Sequence, residues 1–137
     1  MTATRFAAFF VVLLSVSPPS LSHAEGRDPV NVRQSVSASR MRTLQTCLSI
    51  YRDEHGHSAP NLALAVSDLY PSPIEDYLHD AWGRAFAYYY AGDTDVIISL
   101  GKDGLPDAAA RADEGENTDL VMVGGNWAKL PAHIASF

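Results

Sequence analysis

The feature that most constrains the fold is a long stretch, residues 32–55, in which apolar side chains recur every three to five residues. This spacing is typical of one face of an α-helix. The apolar face consists of Val32, Val36, Met41, Leu44, Leu48 and Tyr51. Asn31 before it is a suitable N-cap, and Gly56 after it suits the turn that ends a helix. The sequence therefore predicts one long amphipathic helix, which needs a second surface to cover its apolar face.

The second half of the chain has the pattern of such a surface. Residues 85–90 (AFAYYY) and 95–100 (DVIISL) are rich in aromatic and branched side chains, and a short turn at Gly92-Asp93 separates them. This pair predicts an antiparallel hairpin. Residues 120–123 (LVMV) predict a third strand that stops at Gly124-Gly125. The predicted fold class is α+β, with a long N-terminal amphipathic helix packed on a small three-stranded antiparallel sheet.

The connection between the long helix and the strands is interrupted by Pro60, Pro71 and Pro73. A short helix is predicted over residues 61–70, between the first two prolines. A further helical turn is predicted over residues 74–78.

The first residues have the layout of a secretory signal peptide. Arg5 precedes an apolar core from Phe6 to Val16. Ser22 and Ala24 supply small side chains at the two positions that a signal peptidase recognises. The apolar core has about 11 residues, whereas a membrane-spanning helix needs roughly 20. Residues 1–24 are therefore predicted to be a cleaved signal peptide, with a retained membrane anchor as the alternative.

Cleavage of that peptide would release an exported product, in the periplasm or elsewhere in the cell envelope. The remaining chain is of a length expected for one domain. Residues 25–40 are predicted to be a leader and the start of the helix, residues 41–127 a globular domain, and residues 128–137 a C-terminal tail.

The chain is acidic, with a formal net charge of −6 at pH 7. An acidic surface does not suit nucleic acid or anionic lipid as a partner, whereas it suits cations and basic protein surfaces. Cys47 is the single cysteine. An exported product therefore has no internal disulfide, and its fold depends on packing or on a bound ion. Because Cys47 falls beside the apolar face of the helix, we predict a half-buried, unreactive thiol.

A long acidic loop joins the second and third predicted strands. Its only basic residues are Lys102 and Arg111, and its carboxylates are those of Asp103, Asp107, Asp113, Glu114, Glu116 and Asp119. Composition leaves two interpretations open. One is a solvated acidic loop. The other is a cradle for Ca²⁺, which takes about six to eight oxygen ligands from carboxylates, amides and backbone carbonyls.

The beginning of this loop favours internal order. Asp103-Gly104 forces a tight turn directly after a strand, so the carbonyl of Leu100 can point inward beside the Asp103 carboxylate. A loop of roughly twenty residues in so small a domain usually has an organisation of its own. The spacing of an EF-hand is absent, so a calcium site here would be of another kind.

The sequence contains no motif typical of an enzyme. G-x-S-x-G is absent, and Gly101–Gly104 lacks the phosphate-binding pattern. A zinc site is an alternative for four residues near the end of the helix and beyond it, His55, His57, His79 and Asp80. Polar residues at a helix end explain the histidines better, since histidine suits a helix C-terminus. No small-molecule substrate is indicated.

Four segments of the chain occur in an order known from one protein family. They are MRTLQTCLSIYRDEHGHSAP, DAWGRAFAYYY, DVIISLGKDGLPD and TDLVMVGGNW. Together they resemble the globular domain of the major pseudopilin of bacterial type II secretion, the G subunit. That family has a D-P-W-G-x-P-[YF]-x-Y segment and an S-x-G-x-D-G segment followed by an acidic stretch that ends D-I-x-x-W. The matching residues here are Leu48, Tyr51, Gly56, Asp80, Trp82, Gly83, Phe86, Tyr88, Ser99, Gly101, Asp103, Gly104, Asp119 and Trp127.

This resemblance covers residues 41–127 and does not include the N-terminal prepilin helix of the family, because residues 27–34 are polar. It implies that the acidic loop is of the calcium-binding type and holds a structural Ca²⁺. The implied ligands are the carbonyl of Leu100 and the carboxylate of Asp103. Further oxygens would come from the later part of the loop, with Asp113, Glu116, Asn117 and Asp119 as candidates.

The function that the resemblance implies is that of an exported, non-enzymatic, pseudopilin-like structural and interaction protein, stabilised by Ca²⁺ and associated with type II secretion or pilus-like machinery. Its partners would be proteins, such as other pseudopilins or secretion-machinery subunits. No membrane span would remain after signal cleavage. Two alternatives stay open, a small exported metal-dependent hydrolase and a soluble binding protein with no role in secretion.

Overall fold

The computed structural model describes residues 29–70, 74–107, 115–131 and 134. It contains two α-helices, α1 (Pro29–His55) and α2 (Leu62–Ser67), and two short 3₁₀ helices, η1 (Ile74–Tyr77) and η2 (Gly115–Asn117). The strands are β1 (Ala87–Ala91), β2 (Thr94–Ser99), β3 (Leu120–Val123) and β4 (Asn126–Lys129). The predicted α+β class is confirmed, since the long helix packs on an antiparallel sheet. The predicted signal peptide, residues 1–24, lies outside the described residues.

Helix α1 begins earlier than predicted and ends where predicted. It starts at Pro29, so Asn31 lies inside the helix and the prediction that Asn31 is its N-cap is wrong. Proline is well tolerated at the start of a helix, because its missing N–H would have no helical partner there. At the other end Gly56 has a φ of +74°. Its N–H donates to the carbonyl of Arg52 at 2.7 Å, which ends the helix.

The core lies between α1 and the sheet. Met41, Leu44 and Leu48 are fully buried on α1. The buried side chains that face them from other elements include Ala65, Val66, Ile97, Leu120 and Met122. None of the described helices is both long enough and apolar enough to cross a membrane.

The first two turns of α1 depart from the predicted apolar face. Val32 and Val36 are exposed, at 47% and 37% of their surface. Gln34 and Ser37 are fully buried in their place. The amide nitrogen Nε2 of Gln34 donates to the carbonyl of Gly115 at 2.7 Å. This end of the helix therefore packs on loops through hydrogen bonds, whereas the rest packs on the sheet through apolar contacts.

The sheet has four strands in the order β1-β2-β3-β4, all antiparallel. The structure thus adds a fourth strand, β4, to the three that were predicted. Gly124 and Gly125, with φ of +54° and +84°, turn the chain back after β3. Trp127 of β4 is then partly buried against the core. The first two residues of the predicted C-terminal tail, residues 128 and 129, therefore belong to β4.

A buried polar network ties the C-terminal part of α1 to the sheet. Asp95 of β2 is fully buried and forms an ion pair with Arg52. The hydroxyl oxygen of Tyr88 lies 3.0 Å from Oδ1 of Asp95 and 2.9 Å from the carbonyl of Ala59. Both are acceptors, so the single hydroxyl proton serves one of them at a time.

The two motifs that carry the resemblance contact each other. Asp80 is buried, and its Oδ1 accepts from the N–H groups of Trp82 at 3.0 Å and Arg84 at 2.9 Å. Its Oδ2 accepts from the hydroxyl of Ser99, the last residue of β2, at 3.1 Å. Asp80 therefore shapes the turn around Gly83 and fixes it to the point at which the acidic loop begins.

Candidate metal centre

The acidic loop begins with a tight turn directly after β2. Gly101 and Gly104 both have positive φ, +62° and +68°. The N–H of Gly104 donates to the carbonyl of Leu100 at 3.2 Å. Oδ1 of Asp103 accepts from the N–H of Leu105 at 3.1 Å. The predicted turn at Asp103-Gly104 is thus present, and Asp103 holds its own loop with one oxygen.

The end of the loop returns to its beginning through main-chain contacts. The N–H of Lys102 donates to the carbonyl of Glu116 in η2 at 2.9 Å. A Cβ on Gly101 would lie 2.7 Å from the carbonyl oxygen of Asn117, a distance that side-chain carbons do not tolerate. The lack of a side chain at Gly101 therefore lets the two ends of the loop touch.

A pair of aspartates closes the loop in front of β3. The N–H of Asp107 donates to Oδ2 of Asp119 at 2.9 Å, and the N–H of Asp119 donates to Oδ2 of Asp107 at 2.8 Å. Lys129 of β4 forms an ion pair with the same Oδ2 of Asp107. Two carboxylates are thus held side by side, and the ammonium group of Lys129 contacts one of them.

Asp119 is incompletely satisfied. The residue is 7% exposed, and its buried Oδ1 has no hydrogen-bond partner among the described residues. Burial raises the pKa of Asp119 above its ordinary value, and the negative charges of Asp107 and Asp103 add to the rise. The N–H of Asp107 and the charge of Lys129 oppose it only in part. A buried carboxylate oxygen without a partner is costly, so this position favours a positive charge.

The predicted ligands divide into three groups. Leu100, Asp103 and Asp119 lie around the ends of the loop, and Asp103 is close enough to Asp119 to influence its pKa. The carboxylate of Glu116 is engaged by Lys102, with Nζ 2.8 Å from Oε2, and the side chain of Asn117 is exposed. Asp113 lies outside the described residues.

Sequence reasoning counted Asp107 among the loop carboxylates but did not select it as a ligand. The structure places it against Asp119 through two main-chain hydrogen bonds. No spacing rule indicated this pair, because the two residues are brought together by the path of the whole loop. The carboxylate oxygens of the pair are hard ligands of the kind that Ca²⁺ prefers. The orphaned Oδ1 of Asp119 therefore fits a hard cation.

A second group of metal-ligating atoms lies at the end of α1. It consists of Glu54, His55 and Asp68, which are all exposed. Each offers one ligand atom, and these three atoms lie within 4.8 Å of one another. Nε2 of His55 is 3.7 Å from Oδ2 of Asp68, and its Nδ1 is 3.0 Å from the carbonyl of Tyr51. Exposed groups of this kind are common without a metal. A histidine–carboxylate pair at a helix C-terminus accounts for this arrangement.

The zinc alternative proposed for His55, His57, His79 and Asp80 gains no support from their hydrogen bonds. Both oxygens of Asp80 are engaged, Oδ1 by the N–H groups of Trp82 and Arg84 and Oδ2 by the hydroxyl of Ser99. Nδ1 of His57 lies 3.0 Å from the carbonyl of Ser58, and Nδ1 of His79 lies 2.7 Å from that of Glu75. These histidines act as local helix-end and turn residues.

Comparison with known proteins gives no relative for this chain: no family model, no curated protein and no solved structure matches it.

Proposed function

We propose that this chain is an exported, non-enzymatic, pseudopilin-like structural and interaction protein, and that its acidic loop binds a structural Ca²⁺. The observation that carries the proposal is the buried Oδ1 of Asp119, which has no partner among the described residues and is held beside Asp107. A bound Ca²⁺ would supply a positive charge to this oxygen of Asp119. Asp119, Asp107, Asp103 and the carbonyl of Leu100 are the residues available to hold it.

The role of the ion in this proposal is to fix the loop rather than to activate a substrate. The loop joins β2 to β3. Near its end, Gly115 accepts a hydrogen bond from Gln34 of α1, and directly before its start, Ser99 donates one to Asp80. An ion bound there would hold one surface made of the loop, the helix start and the turn. A protein that acts by contact with other proteins needs such a surface to keep its shape.

The association with type II secretion or pilus-like machinery rests on the sequence resemblance over residues 41–127. Its two motifs meet in the structure, since Ser99 donates to Asp80 and the guanidinium of Arg84 donates to the carbonyl of Gly101 at 2.8 Å. This contact supports a shared structural role for the motif residues. In the proposal, the protein is located in the periplasm or cell envelope, and its partners are proteins such as pseudopilins or secretion-machinery subunits.

The calcium part of the proposal is tested by thermal unfolding in millimolar Ca²⁺, in Mg²⁺ and in excess chelator. At a free Ca²⁺ concentration of about 100 times the dissociation constant, the native state gains about 2.7 kcal/mol. The thermal midpoint should then rise by about 5 °C or more, because the chain is small. Mg²⁺ should have little effect, because it demands a tighter octahedral shell and gives up its water reluctantly.

Three variants make the test specific. Asp119→Asn and Asp103→Ala should remove the response to Ca²⁺, whereas Asp93→Asn should keep it, because Asp93 lies exposed in the β1–β2 turn. A midpoint that is the same in Ca²⁺ and in chelator would falsify the metal assignment. A Ca²⁺ response that survives in Asp119→Asn would show that the ion binds elsewhere.

A further inference from the structure

Lys129 is a basic residue that contacts the candidate calcium site. It lies in β4, which pairs with β3 across an irregular register at Val121 and Met122. Its Nζ contacts Oδ2 of Asp107, and the side chains of Lys129 and Asp107 are 30% and 11% exposed. The ion pair is therefore partly withdrawn from water, where an attraction or a repulsion is screened less than at the surface.

Lys129 contacts one residue of the aspartate pair. Its ammonium contacts Asp107, whereas Oδ1 of Asp119 has no hydrogen-bond partner among the described residues. Oδ2 of Asp107 is also occupied by the N–H of Asp119 at 2.8 Å. Lys129 thus contacts Asp107 and leaves Oδ1 of Asp119 without a partner among the described residues.

We propose that Lys129 competes with Ca²⁺ at the Asp107–Asp119 pair and so weakens the affinity of the site for the ion. The proposal rests on the calcium site proposed above and adds the residue that tunes it. A bound divalent cation and the ammonium repel each other across a few ångströms, and both attract the same Asp107 carboxylate. Without the ion, Lys129 holds Asp107 against the sheet, so the loop keeps part of its order.

The test removes this charge and measures Ca²⁺ affinity by titration calorimetry at constant ionic strength. Lys129→Gln should bind Ca²⁺ more tightly than the unmodified protein by about fivefold or more, the lower end of ordinary coupling between two bound groups. The thermal midpoint of Lys129→Gln in chelator should be lower than that of the unmodified protein, because Asp107 then loses its ion pair with Lys129. Lys129→Met keeps the aliphatic stem and should show the same gain in affinity.

Lys102→Gln is the matched control. Its ammonium is 2.8 Å from Oε2 of Glu116 in the same loop, and its side chain is 59% exposed. Its affinity for Ca²⁺ should stay within about twofold of the unmodified protein, since exposed ion pairs contribute little. Lys129→Arg keeps the charge and should also keep the original affinity.

The outcomes separate this proposal from the calcium assignment. If the unmodified protein binds Ca²⁺ and both neutral variants of Lys129 bind it equally or less tightly, competition by Lys129 is wrong and the calcium site stands. If Lys102→Gln gains as much affinity as Lys129→Gln, the effect is one of net charge and the specific role of Lys129 is wrong. If none of the proteins binds Ca²⁺, the calcium assignment fails, and this inference fails with it.

Discussion

Two buried aspartates of this protein differ in how their charge is compensated. Asp95 is fully buried, and its two oxygens contact Arg52 and the hydroxyl of Tyr88. Asp119 is almost as buried, but one of its oxygens has no partner among the described residues. A buried carboxylate with both oxygens engaged can serve as a structural connection. One with a free oxygen is better suited to bind something, and this contrast singles out Asp119.

The hydroxyl of Tyr88 should make stability depend on pH in the alkaline range. Burial raises the pKa of Tyr88 above its ordinary value of 10.0, the charge of Arg52 opposes the rise, and Tyr90 adds to it. At pH values between the pKa of Tyr88 in the unfolded state and its raised pKa in the folded state, the native state binds more protons than the unfolded state. The free energy of unfolding therefore falls as pH rises through this window. The contribution of the hydroxyl is fully present below pH 10.0 and is lost above the folded pKa.

The measurement is the difference in unfolding free energy between the unmodified protein and Tyr88→Phe, from urea titrations at about pH 8 and about pH 11. At the lower pH the variant should be less stable by about 1 kcal/mol, the usual value of one hydrogen bond. At the higher pH the difference should shrink. Tyr89→Phe, at a position that is 53% exposed, should show no such change. A difference for Tyr88→Phe that is constant with pH contradicts the assignment.

At the residue scale the sequence predicted the first part of the candidate site better than the rest. Asp103 was identifiable because a strand followed by Asp-Gly has a characteristic turn, and the turn is present. The pairing of Asp107 with Asp119 was not identifiable, because the two residues are twelve positions apart in sequence and no periodicity relates them. The burial of Gln34 was not identifiable for a similar reason, since its partner, the carbonyl of Gly115, is 81 positions away in sequence.

At the scale of elements, α1 consists of two parts that pack by different means. The part from Met41 to Tyr51 covers the sheet with apolar side chains. The part before it contacts loops, where Arg40 donates to the carbonyl of His79 at 2.9 Å and Ser37 accepts from the N–H of Ala81 at 2.9 Å. Periodicity predicts the part from Met41 to Tyr51, because apolar burial repeats every turn. It cannot predict the part before Met41, because contacts with loops have no period.

Strand β4 shows a different limit of sequence reasoning. The pair Gly124-Gly125 predicts the end of β3, although two glycines between short alternating segments are also a hairpin signal. Only four residues follow in β4, and alternation over so short a span is weak. The tertiary position of Trp127 against the core is what makes the segment a strand.

The contact between the two ends of the acidic loop can be tested with a pair of glycines. Gly101 and Gly92 have nearly the same backbone, with φ of +62° and +60°, but only Gly101 has neighbours where a Cβ would be placed. Gly92→Ala should cost about 1–2 kcal/mol of unfolding free energy, the strain of a left-handed residue with a side chain. Gly101→Ala should cost about 1–3 kcal/mol more, because its Cβ meets the main chain of Asn117.

Urea titrations of the two alanine variants give the comparison, and Ca²⁺ titrations of the same proteins extend it. If the loop ends must touch for the ion to bind, Gly101→Ala should also lose affinity for Ca²⁺, whereas Gly92→Ala should keep it. Equal losses of stability in the two variants would mean that the loop yields at Asn117 without cost, and the contact would then have no structural importance.

At the scale of the whole molecule, one core holds the helix, the sheet and the loop without any disulfide. Cys47 is 1% exposed on α1, and burial raises the pKa of its thiol. Cys47 is more deeply buried than the half-buried position that was predicted, and the low reactivity of its thiol stays a prediction. Stability then depends on apolar packing between α1 and the strands, with polar connections at Asp80 and Asp95. The proposed Ca²⁺ would add to this at Asp119, whose buried Oδ1 has no hydrogen-bond partner among the described residues.

The last prediction concerns the maturation of the whole chain. The described fold begins at Pro29, and only Glu25, Gly26, Arg27 and Asp28 lie between it and the predicted cleavage position. Cleavage after Ala24 therefore removes none of the described residues. A full-length chain expressed in a Gram-negative host should give a periplasmic product whose N-terminal residue is Glu25, by N-terminal sequencing and intact mass. Residues 25–137 expressed alone should have the same thermal midpoint and the same response to Ca²⁺.

Variants next to the cleavage position separate processing from export. Ala24→Phe places a large side chain at a position that the peptidase recognises, so the uncleaved chain should accumulate in the membrane fraction. His23→Phe puts the same side chain at the neighbouring position, which the peptidase does not select for small residues, and it should leave cleavage intact. A product of the unmodified chain that retains Met1 and stays with the membrane would support the anchored alternative, because an apolar segment that escapes cleavage stays in the bilayer.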